Sequence, residues 1–209
     1  MTTLATLKAE VADDLSRSDL TTAIAEAITE AIEYYQPEPF WFTDSRDATF
    51  ATVADTKEYT STEDTDIGQF YRLDDVFLED GTNIYELREI AISTWQDYQD
   101  VAASARPYSF ARFQESYFLY PTPAAVYTVR LIGHRKIAAP ASDVEADNVW
   151  MTNGYQLIRA RAVKNVYGKK LRDYEDAAIW QSEEDRQLNR LFVEGSKRTS
   201  TGVIRATAF

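Results

Sequence analysis

Apolar residues recur every three or four positions at both ends of the chain and every second position in its middle. Leu4, Leu7, Val11 and Leu15 share one face of a short helix over about 3–15. Ser16 to Asp19 is a polar turn, in which Ser18 or Asp19 is placed to cap the next helix. That helix, about 20–35, carries Ile24, Ala27, Ile28, Ala31, Ile32 and Tyr35 on one stripe. Its alanines admit a close neighbour, and Pro37 and Pro39 stop it. Near the other end, Val149, Trp150, Tyr155, Leu157, Ile158, Ala162, Val166 and Tyr167 support a helix over about 147–167. Gly168 with Lys169, Lys170 and Arg172 marks its end or a kink. Tyr174, Ala177, Ala178, Trp180, Leu188, Leu191 and Phe192 predict a last helix over 173–192, with Glu183, Glu184 and Asp185 on a solvated face. Residues 193–209 have no helical period and read as an extended tail that orders on a partner.

The middle of the chain alternates instead. Short strands are expected at 49–53, 58–60, 71–79, 83–87, 108–112, 117–120 and 126–132. Asp80-Gly81 is a hairpin signal, because glycine takes positive φ without penalty. Ser93 or Thr94 is placed to cap a short helix over about 95–103. Pro121 and Pro123 lack backbone N–H groups and set a rigid corner between the last two strands, which predicts a small sheet built around that corner. Residues 137–147 read as a linker.

The order of elements is that of an α+β protein. Residues 1–36 and 145–192 are expected to form a helical bundle, 37–144 an inserted small antiparallel β section, and 193–209 the extended C-terminal tail. Phe40-Trp41-Phe42 stands where bundle and insertion meet. Three successive aromatics there either plug the junction or form a partner-facing patch.

Charge narrows the choice of partner. The chain of 209 residues carries −12, too acidic for general binding to phosphate backbones or anionic membranes. The tail runs against this: Lys197, Arg198 and Arg205 face Glu194 alone, a net +2 that leaves the remainder at −14. There is no cysteine, and no apolar run of signal-peptide or transmembrane character, so a soluble protein, intracellular where it is made, is expected.

Candidate chemistry is sparse. His134 is the only histidine, which excludes a multi-histidine metal site within one chain; it reads as a strand-end residue. Phosphate-binding glycine loops and nucleophile elbows are absent. Glu63, Asp64 and Asp66 lack the ligand spacing of a calcium loop. No cofactor, no metal and no catalytic residue is expected, although paired carboxylates acting on a glycan stay open among 34 acidic residues.

The segments AIAEAITEAIEYYQPEPFWF, DATFATVADTKEYT, RLDDVFLEDGTNIYELREI and RPYSFARFQESYFLYPTPAAVYTVRLIG, in that order, resemble the head-to-tail connector (adaptor, or tail accessory factor) proteins of tailed bacteriophages. The likeness covers roughly 19–135. It implies a non-enzymatic virion protein of the neck, assembled in the host cytoplasm as a ring, commonly of twelve copies. Such a ring binds the portal protein, extends the DNA channel without specific DNA contacts, and offers a surface to the tail or next neck protein. The tail residues Lys197, Arg198, Val203, Ile204, Arg205 and Phe209 are the expected portal-binding set, and Phe40, Trp41 and Phe42 a second contact. Another tail-completion or tail-tube-associated virion protein is the alternative, and a carboxylate-dependent glycan hydrolase a more distant one.

Overall fold

The computed structural model describes residues 2–98, 104–145 and 147–199. They divide into two compact units: the described residues of Met1–Phe42 with Ile137–Phe209, and Thr43–Lys136. Six α-helices and three sheets are formed among them.

The first unit is helical: α1 (Leu4–Asp14), α2 (Thr21–Tyr35), and, after the second unit, α4 (Val149–Thr152), α5 (Tyr155–Asn165) and α6 (Tyr174–Thr199). The apolar stripes read from the sequence meet in one core. Leu7 and Val11 of α1, Ile24, Ile28, Ala31 and Ile32 of α2, and Leu157, Ile158, Ala162 and Val163 of α5 are all buried in it. Each fully buried isoleucine or leucine contributes roughly 1.5–3 kcal/mol. The Thr3 hydroxyl caps α1, accepting from the Thr6 amide at 3.3 Å. The expected cap of α2 does not form. Its first flanking residue is Leu20, and Asp19 instead holds Arg17 through two hydrogen bonds of 2.7 Å. That pair keeps the Asp19 carboxyl down at about 2, chiefly through the Arg17 hydrogen bond.

The helix expected over 147–167 is interrupted. Asn148 caps the single-turn α4, its side chain accepting from the Trp150 amide, and the chain breaks at Asn153 and Gly154 before α5. Gly154 allows a close approach, since a Cβ there would lie 2.9 Å from the Trp150 ring. Past α5 the helix widens into a π turn, Val166–Leu171, so Gly168 lies inside it; Arg172, at φ +57°, makes the stop. The segment read as a linker is pinned to this unit: Ile137 O accepts from the Trp150 indole at 2.9 Å, and Lys8 pairs with Asp143 at 2.6 Å.

The second unit is built of strands. β1 (Asp44–Ala51), β3 (Phe70–Glu79), β4 (Ile84–Glu86) and β10 (Thr128–Arg135) form an antiparallel sheet in the order β1-β10-β3-β4. β2 (Glu58–Tyr59), β5 (Arg88–Glu89), β7 (Ser109–Phe113) and β8 (Ser116–Tyr120) form a second, in the order β2-β8-β7-β5. β6 (Ser104–Ala105) and β9 (Thr122–Pro123) form a third. The two larger sheets share one core, with Phe50, Val76, Leu78, Val129 and Leu131 from the first and Tyr59, Phe110, Tyr117 and Leu119 from the second.

Three expectations are corrected here. The proline corner does not centre one sheet, because β8 and β10 belong to different sheets and the corner carries the chain from one to the other. Two residues without amide donors, Pro121 and Pro123, make a continuous ladder across that stretch impossible. The β section is not wholly antiparallel either: β5 pairs β7 in parallel, as does β6 with β9. The first of these follows from the helix α3 (Ile92–Tyr98), which lies between its strands and makes a crossover. Finally, Val193–Thr199 is helical rather than extended. The hairpin at Asp80-Gly81 forms as read, with the Asp80 amide donating to Asn83 O at 3.2 Å and Gly81 at φ +87°.

Candidate interaction site

Trp41 and Arg198, one residue from each of the two sets singled out by sequence, meet at the C-terminal end of α6. This helix has 26 residues and is about 39 Å long. Glu175 and Asp176 occupy its first turn, and Lys197 and Arg198 its last, both complementing the helix dipole. Its apolar stripe points inward at Trp180, Leu188 and Leu191. Phe192 extends that contact onto the aromatic triplet, its ring 5.7 Å from Phe40.

Phe40 and Phe42 are core residues, 1% and 8% exposed, stacked on each other at 5.1 Å and packed edge-on against Trp150. Only Trp41 of the three is half-buried, within a 3-10 turn over Trp41–Thr43. Trp41 is seated under α6 of its own chain. A Cβ on Gly195 would stand 3.7 Å from its ring, and the Arg198 guanidinium lies 3.7 Å from the ring centroid. Arg198 also pairs with Glu194, one helical turn back, at 2.7 Å. A stacked cation on tryptophan contributes about 0.5–1 kcal/mol at a partly exposed site. These contacts hold Val193–Thr199 in helical form, where periodicity alone predicted none. Lys197 is exposed. Val203, Ile204, Arg205 and Phe209 lie outside the described residues.

A buried ionic group fixes where α6 sits. The Glu184 side chain is 3% exposed. Its Oε1 accepts from the Tyr35 hydroxyl and from Arg161 Nη1, each at 2.5 Å, while Lys164 Nζ lies 2.5 Å from Oε2. Burial pushes the Glu184 carboxyl up, but the hydrogen bonds from Lys164, Tyr35 and Arg161 outweigh it and hold the group below its usual range. Burial and the same carboxylate push the Tyr35 phenol well up. Arg161 also stacks on Tyr34, 3.2 Å from the ring centroid. Helices α2, α5 and α6 thus share one charge centre. Sequence reasoning missed it by assigning Glu184 to a solvated face. The signal was present: Trp180, Glu184, Leu188 and Leu191 follow one another at spacings of four, four and three. A similar group ties α1 to α5, where Arg159 forks onto Asp14 at 2.7 and 2.6 Å and reaches Glu10 at 2.8 Å.

In the second unit His134 lies on β10. Its Nδ1 is 2.8 Å from Asp44 Oδ1 and 3.2 Å from Thr43 Oγ1, and its Nε2 is 3.8 Å from Asp74 Oδ2. The acidic loop residues make turn contacts: Glu63 accepts from the Thr60 amide at 2.7 Å, and Asp66 pairs with Arg135 at 3.0 Å. Among the described residues no group of three or more His, Cys, Asp or Glu is placed to hold a metal ion, and no helix is long and apolar enough to cross a membrane.

A family model described as SU10 adaptor protein matches residues 2–206. Comparison with curated proteins finds no match.

Proposed function

Because the chain belongs to the SU10 adaptor protein family, a family of phage structural adaptors, we propose that it is a ring-forming head-to-tail connector of a tailed-phage neck. One observation carries this reading. The match runs from residue 2 to residue 206, so it spans the helical unit, the β unit and most of the stretch after α6. In this reading copies of the chain, twelve in the usual case, form a ring in the virion beneath the portal protein. The ring prolongs the DNA channel and presents the attachment surface for the tail or the next neck protein. It performs no catalysis. The charge layout supports this: a body at −14 repels a passing duplex, which keeps DNA moving through a lumen without adhesion.

Residues 200–209, with Val203, Ile204, Arg205 and Phe209, are the portal-docking segment in this reading, continued from Lys197 and Arg198. Apolar anchors supply hold and cations supply steering. The fold sharpens how to test it. A chain ending at Phe192 would lose the contacts of Gly195 and Arg198 with Trp41, and so would damage the helical unit itself. A chain ending at Thr199 keeps them. Electron microscopy of the full chain mixed with portal is expected to show an added ring, and the chain ending at Thr199 to add none. Normal rings from that truncated chain would remove the docking role. Full-length protein that never adds to portal, but labels the tail tube in particles, would replace the connector reading with a tail-tube one.

A further inference from the structure

The outer face of α6 carries charge that the other described residues leave uncovered. Arg186, Arg190, Val193 and Lys197 follow at spacings of four, three and four, which places them on one stripe. Side chains along it border an open cavity of about 410 Å³. Val193, at its middle, is 53% exposed. Arg186 is shared with Glu183, but neither Arg190 nor Lys197 holds an ion pair among the described residues. An exposed valine flanked by exposed cations, on a chain of net charge −12, is a face shaped for an acidic protein surface.

The β unit offers such a surface. A groove of about 280 Å³ runs beside β3 and β5, rimmed by Asp75, Glu86 and Glu89, with the half-buried Leu73 at its side. None of those three carboxylates is ion-paired among the described residues. Asp74 is taken up by Arg72 at 2.9 Å, and Arg88 is the one cation on the rim.

We propose that the Arg186–Arg190–Val193–Lys197 stripe of one copy docks on the Asp75–Glu86–Glu89 groove of a second copy. Charge complementarity selects a protein partner over nucleic acid, since Glu183 and Glu194 interrupt the cations and would repel a phosphate backbone. Every copy carries both halves of the contact. The interface is therefore heterologous and repeats from copy to copy, closing into a ring when the rotation allows. The proposal rests on the ring reading above and names the surfaces that would build it.

The chain has no cysteine, so engineered thiols report without background. Full-length Arg190→Cys and Glu86→Cys variants, each alone and mixed, are oxidised mildly at high concentration and low salt and run on non-reducing gels. The mixture is expected to give a linked pair, each variant alone to stay single, and the double variant to give a ladder. In sedimentation, Arg190→Glu with Lys197→Glu is expected to weaken self-association at least tenfold. Adding Glu86→Lys and Glu89→Lys to that chain is expected to restore it. Links only between two Arg190→Cys chains, absence of linked species, or salt-sensitive retention of duplex DNA that is lost in the Arg190→Glu, Lys197→Glu chain, would overturn the proposal. Rings on portal without a ladder would reject this interface and keep the connector reading; a ladder without rings on portal would do the reverse.

Discussion

Glu184 shows how much one side chain holds. Replacing it with alanine leaves the half-buried Arg161 and Lys164 without their counter-charge, which costs about 3 kcal/mol. Urea unfolding at neutral pH measures that loss. The pH dependence has a definite sign. An unfolded glutamate titrates at about 4.3, and the folded Glu184 carboxyl lies below its usual range. Its ionised form therefore stabilises the fold fully above the unfolded value, and that contribution disappears as pH falls through the folded value. The stability gap between the wild type and Glu184→Gln is expected to narrow on acidification. A gap that widened toward low pH would contradict the ion-pair account. Two glycines behave oppositely. A Cβ on Gly133 would lie 2.2 Å from the Arg72 carbonyl oxygen, at the bulge where β10 meets β3, so Gly133→Ala is expected to destabilise by about 2–3 kcal/mol. Gly195 sits within α6 with room for a methyl group against Trp41, so Gly195→Ala is expected to stabilise by about 0.5–1 kcal/mol. Thermal unfolding of both variants reads the two signs directly.

At the scale of elements, α6 is the longest helix described, and its final turns depend on the aromatic triplet. Trp41→Ala removes the ring beneath Gly195 and Arg198 while leaving Phe40 and Phe42 in the core. Backbone amides of Val193 to Thr199 are then expected to exchange with solvent at least several-fold faster, with the middle of α6 unchanged. Uniform acceleration along the helix would mean that Trp41 supports the whole unit. The helical elements were legible wherever a 3.6-residue stripe was clean. Their ends were less so. Arg172 in the left-handed region and the π turn over Val166–Leu171 carry no local sequence signal as plain as Gly168. The strands were found in nearly the right places, and the hairpin pair β3 and β4 with them, but partners distant in sequence were not. β1 pairs with β10, from Ala51 against Thr128 to Asp44 against His134, rather than with β2. Alternation reports that a strand is half-buried and says nothing of which strand lies beside it.

For the whole molecule the net charge of −12 makes a prediction of its own. At about 0.15 M salt the full chain is expected to leave duplex DNA unretarded in an electrophoretic shift, because cations are too few to displace condensed counterions. A tight, salt-sensitive shift would remove the non-adhesive channel from the connector reading. The site was half legible at this scale. Sequence marked both Phe40-Trp41-Phe42 and the basic residues after Phe192, and the fold brings Trp41 and Arg198 into contact within one unit. It also takes Phe40 and Phe42 out of solvent, which the one-dimensional pattern could not decide.

The sequence by itself determined the α+β class, the helical stripes, the Asp80-Gly81 turn and the two-signed charge, because each depends on residues near one another along the chain. Tertiary structure decided the rest. It split the strands around the proline corner between two sheets, buried Glu184 among Arg161, Lys164 and Tyr35, and kept α6 helical to Thr199. Those outcomes are set by partners distant in sequence, whose contacts outweigh local propensity once the cores have formed.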